Sequence, residues 1–253
     1  MFLVERQERI VQYINNHQKA NTDQLAKEFD VSKVTIRRDI DALANKGLLV
    51  KTHGGAVSIS NSLLSYEIPH SMKSEINAAA KKKIGAAGAG FIKDGDIIIL
   101  DAGLTTLEVA KAITAKNVTV LTNDIKIALE LSHKKDITVI VSGDKLLGSV
   151  YSLSGNQTIE FFSKTHVNRT ILGCDALDAS FGVSNRTMEE SSVKAAMIAA
   201  ADEVIMVTDS SKFNKKVFQY VCSLKDIDKI ITNQLDDITA AALSSNNVEI
   251  ILA

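Results

Sequence analysis

Apolar residues in the first fifty positions recur at helical spacing and then change period. Ile10, Val11 and Ile14 form one stripe, Leu25 and Phe29 a second, and Ile36, Ile40 and Leu43 a third at i, i+4, i+7. Each stripe lies on one face of a helix that turns 100° per residue. Asn21 with Gln24 three residues on reads as a capping box that opens the second helix. Ser32 reads as the N-cap of the third, with Val31 and Ile36 as a hydrophobic staple across it and Gly47 past its end. Only Asp30, Val31 and Ser32 separate the second helix from the third, which is the short link of a helix-turn-helix. Leu48 to Thr52, a turn at His53-Gly54-Gly55, and Ala56-Val57 then read as strand, glycine turn, strand. That is a small wing, with a positive φ expected at Gly54.

Beyond position 76 the pattern becomes short, fully apolar runs separated by helical stretches. Strands are expected at 97–100, 118–121, 137–141, 170–172, 204–207, 230–231 and 248–252. Helices are expected at 78–91, 105–113, 125–132, 189–201 and 237–243. Buried strands alternating with helices predict a mostly parallel sheet covered on both faces. The Ser- and Asn-rich stretch 58–75, with the only proline, Pro69, reads as a linker. The chain is therefore expected to be an α/β protein in three parts: a winged helix-turn-helix at 1–57, a linker at 58–75 and a mostly parallel α/β domain at 76–253.

Composition narrows this little. The net charge of −1 says nothing about nucleic acid, but residues 1–57 hold nine Lys/Arg against seven Asp/Glu while the remainder holds 20 against 23. A basic head on an acidic body fits DNA binding. Cys174 and Cys222 lack the spacing of a thiolate metal site or a disulfide framework and read as buried thiols. No secretory leader and no membrane-length apolar run is evident, so a cytoplasmic protein with no membrane partner is expected.

The third helix carries the first chemistry. Opposite its apolar face stand Val34, Arg38 and Asp41, flanked by Thr35 and Arg37, with Ser32 and Lys33 at its start. Arg pairs bidentately with guanine, Thr meets base edges or thymine methyls, and the helix start meets phosphate. In the wing, Lys51, Thr52, His53 and Gly54 are expected to contact the DNA backbone or minor groove.

The second chemistry follows the apolar strand at 97–100. Asp101-Ala102-Gly103-Leu104-Thr105-Thr106 joins that strand to a helix. Ligands of open α/β sheets bind beyond the carboxyl ends of strands, and a helix start offers N–H groups to a phosphate. Gly103 permits close approach, Thr105 and Thr106 offer hydroxyls, and Asp101 can accept from sugar hydroxyls. Thr105 or Thr106 equally suits a helix cap. Thr122-Asn123 repeats the layout after the next strand, and Lys212 offers a countercharge. Gly85 to Gly90 precedes a strand, so it reads as helix packing and not as a dinucleotide loop. Lys81-Lys82-Lys83 reads as a solvated charge run.

Glu5-Arg6-Gln7, the stretch from Val31 to Ile40, and Lys51-Thr52-His53-Gly54-Gly55-Ala56 resemble the DNA-binding head of the DeoR family of bacterial regulators. Asp101-Ala102-Gly103-Leu104-Thr105-Thr106, Thr122-Asn123, Gly143, Gly155 and Asp209-Ser210-Ser211-Lys212-Phe213 follow the same family's order. Leu104 stands where the family often has a hydroxyl, and Ser142 where it often has a second glycine. The resemblance implies a regulator of carbohydrate catabolism, usually a repressor, whose sensor domain resembles sugar-phosphate isomerases and CoA transferases. It adds Gly143 to the effector residues.

Together these readings predict a DNA-binding regulator with double-stranded operator DNA and a phosphorylated sugar as partners. It is expected to act as a homo-oligomer, dimer or tetramer, because symmetric half-sites multiply the contacts of one small head. No catalytic residue, metal site or cofactor is expected. The alternative is a sugar-phosphate isomerase or transferase with an appended head, whose candidate acids are Asp101, Asp124, Asp175, Glu189 and Glu190.

Overall fold

The computed structural model describes residues 3–17, 19–45, 48–52, 54–58, 77–148 and 150–253. Contacts divide the chain into two compact units, Met1–Met72 and Lys73–Ala253. The expected linker at 58–75 lies, apart from Ser58, outside the described residues, as do His53 and Gly47.

The first unit runs α1 (Leu3–His17), β1 (Lys19–Asn21), α2 (Thr22–Glu28), α3 (Lys33–Asn45), β2 (Val50–Thr52) and β3 (Gly55–Val57). The capping box forms: the Gln24 N–H donates to Asn21 Oδ1 at 2.7 Å and the Asn21 N–H to Gln24 Oε1 at 2.9 Å. Ser32 Oγ accepts from the Thr35 N–H at 3.1 Å. The three apolar stripes meet in one core of Ile10, Ile14, Leu25, Ile36, Ile40 and Leu43, closed by Ala20, Leu49 and Ala56. Burying each large aliphatic side chain contributes about 1.5–3 kcal/mol.

The wing strands pair antiparallel, Val50 opposite Val57 and Thr52 opposite Gly55. The sequence pattern omits β1, whose three residues are too short to show a period; it pairs with β3 to give the order β1-β3-β2. That strand also corrects the reading of the glycines. A Cβ on Gly54 would meet nothing within 4 Å. A Cβ on Gly55 would lie 2.1 Å from the Ala20 carbonyl oxygen. The constraint is close passage of the central strand against β1, not turn geometry.

The second unit is built on seven parallel strands in the order β15-β14-β12-β9-β4-β5-β6. They are β4 (Ile97–Leu100), β5 (Val118–Thr122), β6 (Ile137–Val141), β9 (Val167–Leu172), β12 (Ala201–Val207), β14 (Lys229–Thr232) and β15 (Glu249–Leu252). Alternation of side chains splits the core in two. Ile98, Leu100, Val120, Ile205 and Ile231 pack with Ile84, Val109 and Ile127 of helices α4 (Ala78–Ala89), α5 (Leu104–Ala112) and α6 (Ile125–Leu131). Ile99, Leu121, Met206 and Ile230 face the other way, onto Phe162, Met197 and Leu243 of α7 (Asn156–Ser163), α8 (Met188–Ala199) and α9 (Asp237–Ser244).

Chain order runs from β4 through β5 to β6 in one direction, then returns to β9 on the other side of β4. The switch point lies between β4 and β9. Two features were not legible as periodic segments. One is a hairpin of β7 (Lys145–Leu147) and β8 (Ser152–Ser154); the other is a small antiparallel sheet of β10 (Ala176–Asp178), β11 (Gly182–Asn185) and β13 (Gln219–Cys222). Gly85 packs α4 against α5, where a Cβ would lie 2.5 Å from that of Glu108. Lys82 and Lys83 are exposed as expected, but Lys81 is buried and its charge acts on Asp209, so the run is not wholly solvated.

Candidate functional site

In the first unit the outward face of α3 carries Lys33, Val34, Arg37 and Arg38, all exposed, with Thr35 half-buried. Lys33 pairs with Asp23 at 2.9 Å, and Lys51 of the wing pairs with Asp41. Among the described residues neither Arg37 nor Arg38 makes an ion pair within the head, which leaves their charge for another molecule. The inward residue Asp39 is 2% exposed. It accepts from Arg6 Nε at 2.6 Å, Arg6 Nη2 at 3.3 Å and Gln7 Nε2 at 3.1 Å. This carboxylate ties α3 to α1 and so fixes the angle at which the basic face is offered.

In the second unit the polar groups gather at the carboxyl ends of the parallel strands. Asp101 leaves β4 and is 2% exposed; Lys194 of α8 is 4% exposed and donates to Asp101 Oδ2. Lys194 Nζ also donates to the Gly173 carbonyl at 3.0 Å, and the Gly173 N–H donates to Asp101 Oδ2 at 2.9 Å. Gly173 follows β9, so this closed arrangement sits at the switch point between β4 and β9. Burial lowers the Lys194 pKa, but Asp101 and Glu190 raise it more, so the ammonium stays protonated.

One strand along, Asp124 caps α6, accepting from the Lys126 N–H at 2.7 Å and the Ile127 N–H at 3.1 Å. Its second oxygen accepts from the Gly103 N–H at 3.2 Å. Asp124 is fully buried, and that burial outweighs the N–H donors and pushes its pKa up to about 6. On the other side of the switch, Asp209 accepts from the Ser211 N–H at 3.0 Å and from Asn77 Nδ2 at 2.9 Å. Lys212 follows it, and burial together with the charges of Lys212 and Arg186 lowers the Lys215 pKa. Arg186 stands 3.9 Å from Asp175, with its Nε buried and without a hydrogen-bond partner.

Comparison with known proteins settles the class. A DeoR-like helix-turn-helix domain matches residues 6–62, and a DeoR C-terminal sensor domain matches residues 76–234. The chain belongs to the DeoR family. It is a DNA-binding transcriptional regulator. It is 36% identical over 251 residues to the HTH-type transcriptional regulator YulB of Bacillus subtilis, covering 99% of this chain and 96% of that one. It is 31% identical to a putative aga operon transcriptional repressor of Escherichia coli O157:H7, over 98% and 93% of the two chains. It is 32% identical to the transcriptional repressor GlcR of Bacillus subtilis, over 100% and 97%. Partial structural likeness extends to ribose 5-phosphate isomerase A of Methanocaldococcus jannaschii, at 16% identity and TM-score 0.39 over 55% and 56% of the chains.

In this DeoR-family chain the expected effector residues lie along one edge of the sheet, but unequally exposed. Asp101 and Gly103 follow β4, Thr122 ends β5 and Asn123 follows it, and Gly143 follows β6. Lys212 follows β12, two strand spacings or about 10 Å from β4. Thr105 is half-buried at the start of α5. Thr106 is fully buried and donates its hydroxyl to the Gly103 carbonyl at 2.9 Å, so it serves the helix start. Thr122 Oγ1 accepts from the Asp124 N–H at 3.0 Å. Sequence reasoning missed Lys194 and Arg186. Neither stands in a local motif, and only helix packing and the small sheet bring them to the strand ends. Among the described residues no group of three or more His, Cys, Asp or Glu side chains is placed to hold a metal ion, and no helix is long and apolar enough to cross a membrane.

Proposed function

We propose that this regulator is a repressor of carbohydrate-catabolism genes whose hold on its operator is changed by a phosphorylated sugar. On this reading α3 enters the major groove with Lys33, Val34, Thr35, Arg37 and Arg38, and the wing residues Lys51, Thr52, His53 and Gly54 follow the backbone. The effector occupies the strand ends of the sheet domain. Its phosphate rests on the N–H groups that open α5, beside Gly103 and Thr105. Asp101, Thr122, Asn123, Gly143 and Lys212 complete the edge. The names of the repressors to which the chain is similar support this sign of regulation.

The observation that carries the anionic effector is the concentration of cations at one corner. The charges of Lys212 and Arg186 act on Lys215, and the Arg186 Nε remains buried with no hydrogen-bond partner. Lys212, Lys215 and Arg186, gathered in a partly desolvated site against the carboxylates of Asp175 and Asp209, favour an anion. The same geometry argues for sensing and not turnover. Asp101 is held by Lys194 and Asp124 by the N–H groups of Gly103, Lys126 and Ile127, so both carboxylates are engaged in tying the strand ends together.

The test is fluorescence anisotropy of the full chain on an operator isolated by in vitro selection, titrated with hexose and pentose phosphates. One phosphorylated sugar shifts operator affinity by at least about five-fold, the low end of common allosteric couplings. Its unphosphorylated parent does not. A shift by the parent sugar alone rules out the anionic site, and product formation from a phosphosugar rules out the bare sensor.

A further inference from the structure

The hairpin Lys145–Ser154 lies against the edge just described, and its second strand carries polar atoms with nothing to bind. The backbone of residues 123–125 pairs with that of residues 151–153. The Leu153 N–H donates to the Asn123 carbonyl at 2.7 Å, the Ile125 N–H to that of Tyr151 at 3.1 Å, and Asp124 bridges to Ser152. Asn123 Nδ2 donates to the Leu153 carbonyl at 3.1 Å. Ser152 and Ser154, at i and i+2, share one face of β8 and are 0% and 3% exposed. Both hydroxyls, and the carboxamide oxygen of Asn123, are buried without a hydrogen-bond partner. β8 packs against α8, the helix that brings Lys194 to Asp101.

Leaving a hydroxyl or amide oxygen buried and unpaired is unfavourable. Three such atoms stand on two adjoining segments, beside a strand end where ligands of this architecture bind. The hairpin is also held in place. Asp144 at its base accepts from the Lys145 N–H at 2.8 Å and the Gln157 N–H at 2.7 Å, bridging the hairpin to the start of α7. Tyr151 sits at φ 62, a conformation that a bulky residue adopts only when its surroundings impose it.

We propose that Ser152 Oγ, Ser154 Oγ and Asn123 Oδ1 form the wall that reads the hydroxyl groups of the effector, and so select among phosphorylated sugars. The proposal rests on the sugar-phosphate reading above and deepens it. The two hydroxyls both donate and accept, as sugar hydroxyls do, and the carboxamide oxygen accepts. The wall stands one strand from the Gly103 loop, so a sugar whose phosphate rests at the start of α5 extends its polyol end toward β8.

The test uses the full chain with Ser152→Ala, Ser154→Ala and the double substitution. Binding of hexose and pentose phosphates, their deoxy analogues and inorganic phosphate is followed by calorimetry. For a phosphosugar that binds the native protein, each single substitution weakens binding about ten-fold and the double more, as expected of a lost hydrogen-bond partner in a closed site. Inorganic phosphate binds all forms alike. The analogue that lacks the matching hydroxyl binds the native chain about as weakly as the parent sugar binds the variant, and loses nothing further on substitution. Melting temperatures stay at or above the native value, because neither hydroxyl has a partner to lose. A fall in melting temperature, or variants that bind the sugar as the native chain does, overturns the wall while leaving the sugar-phosphate reading intact. A native chain that binds no phosphosugar overturns both.

Discussion

Lys194 and Asp101, ninety-three residues apart in sequence, form one buried ion pair at the point where the strand order of the sheet reverses. Gly173 closes the arrangement from the third side, accepting from the ammonium and donating to the carboxylate. A buried pair of this kind is weak evidence for stability, because both charges are desolvated to make it. Breaking it from one side is a different matter.

Lys194→Met leaves the Asp101 carboxylate buried with the Gly173 N–H. Such a change costs about 3–5 kcal/mol of folding free energy. Asp101→Asn combined with Lys194→Met removes both charges, and costs less than the sum of the two single changes by about 1–3 kcal/mol. Urea denaturation of the four proteins closes the cycle. Additive costs would mean that the two side chains do not act as a pair.

The Asp124 carboxyl makes stability depend on pH with a definite sign. Its folded pKa is raised to about 6 by burial, while an unfolded aspartate titrates near 3.9. Between those values the native state holds a proton that the unfolded chain has released. Native stability therefore falls as pH rises from about 4 to about 6 and stays lowered above that, by up to about 3 kcal/mol. Asp124→Asn keeps a capping oxygen and cannot ionise, so its profile lacks this fall. Denaturation midpoints between pH 4.5 and 8 for both proteins are the measurement. Parallel profiles would show that Asp124 titrates alike in both states.

Two residues of α3 separate folding from recognition. Asp39→Ala strips the carboxylate from Arg6, whose side chain is 13% exposed, and from Gln7. The head loses about 3–5 kcal/mol and with it operator binding. Arg38→Ala leaves the fold untouched because Arg38 is exposed, yet weakens specific DNA binding by about 1–3 kcal/mol if it reads a base. Circular dichroism and anisotropy on operator and random DNA distinguish the two. Equal operator affinity in Arg38→Ala removes this face from the interface.

The adjacent glycines of the wing behave oppositely. Gly55→Ala forces a Cβ into the Ala20 carbonyl oxygen, 2.1 Å away, and opens the small sheet. Gly54→Ala meets nothing within 4 Å and stays within about 0.5 kcal/mol of the native head. Thermal melts of the two variants check this, and similar losses at both positions would contradict the pairing of β3 with β1.

The sequence by itself determined whatever depends on near neighbours in the chain. Helical stripes at Ile36, Ile40 and Leu43, the Asn21–Gln24 cap and the apolar run at 97–100 express periods and hydrogen bonds spanning a few residues. Their elements follow directly. It also determined the family, through motifs spread along the chain. The tertiary structure alone decided what depends on distant strands lying side by side. It turned Gly55 and not Gly54 into the constrained glycine, because β1 comes to rest against β3. It buried Lys81 out of an apparently solvated run. It spent the Thr106 hydroxyl on the Gly103 carbonyl and brought Lys194 to Asp101. It left Ser152, Ser154 and Asn123 with buried, unpaired oxygens, an outcome set by where a three-residue strand docks and written in no local pattern.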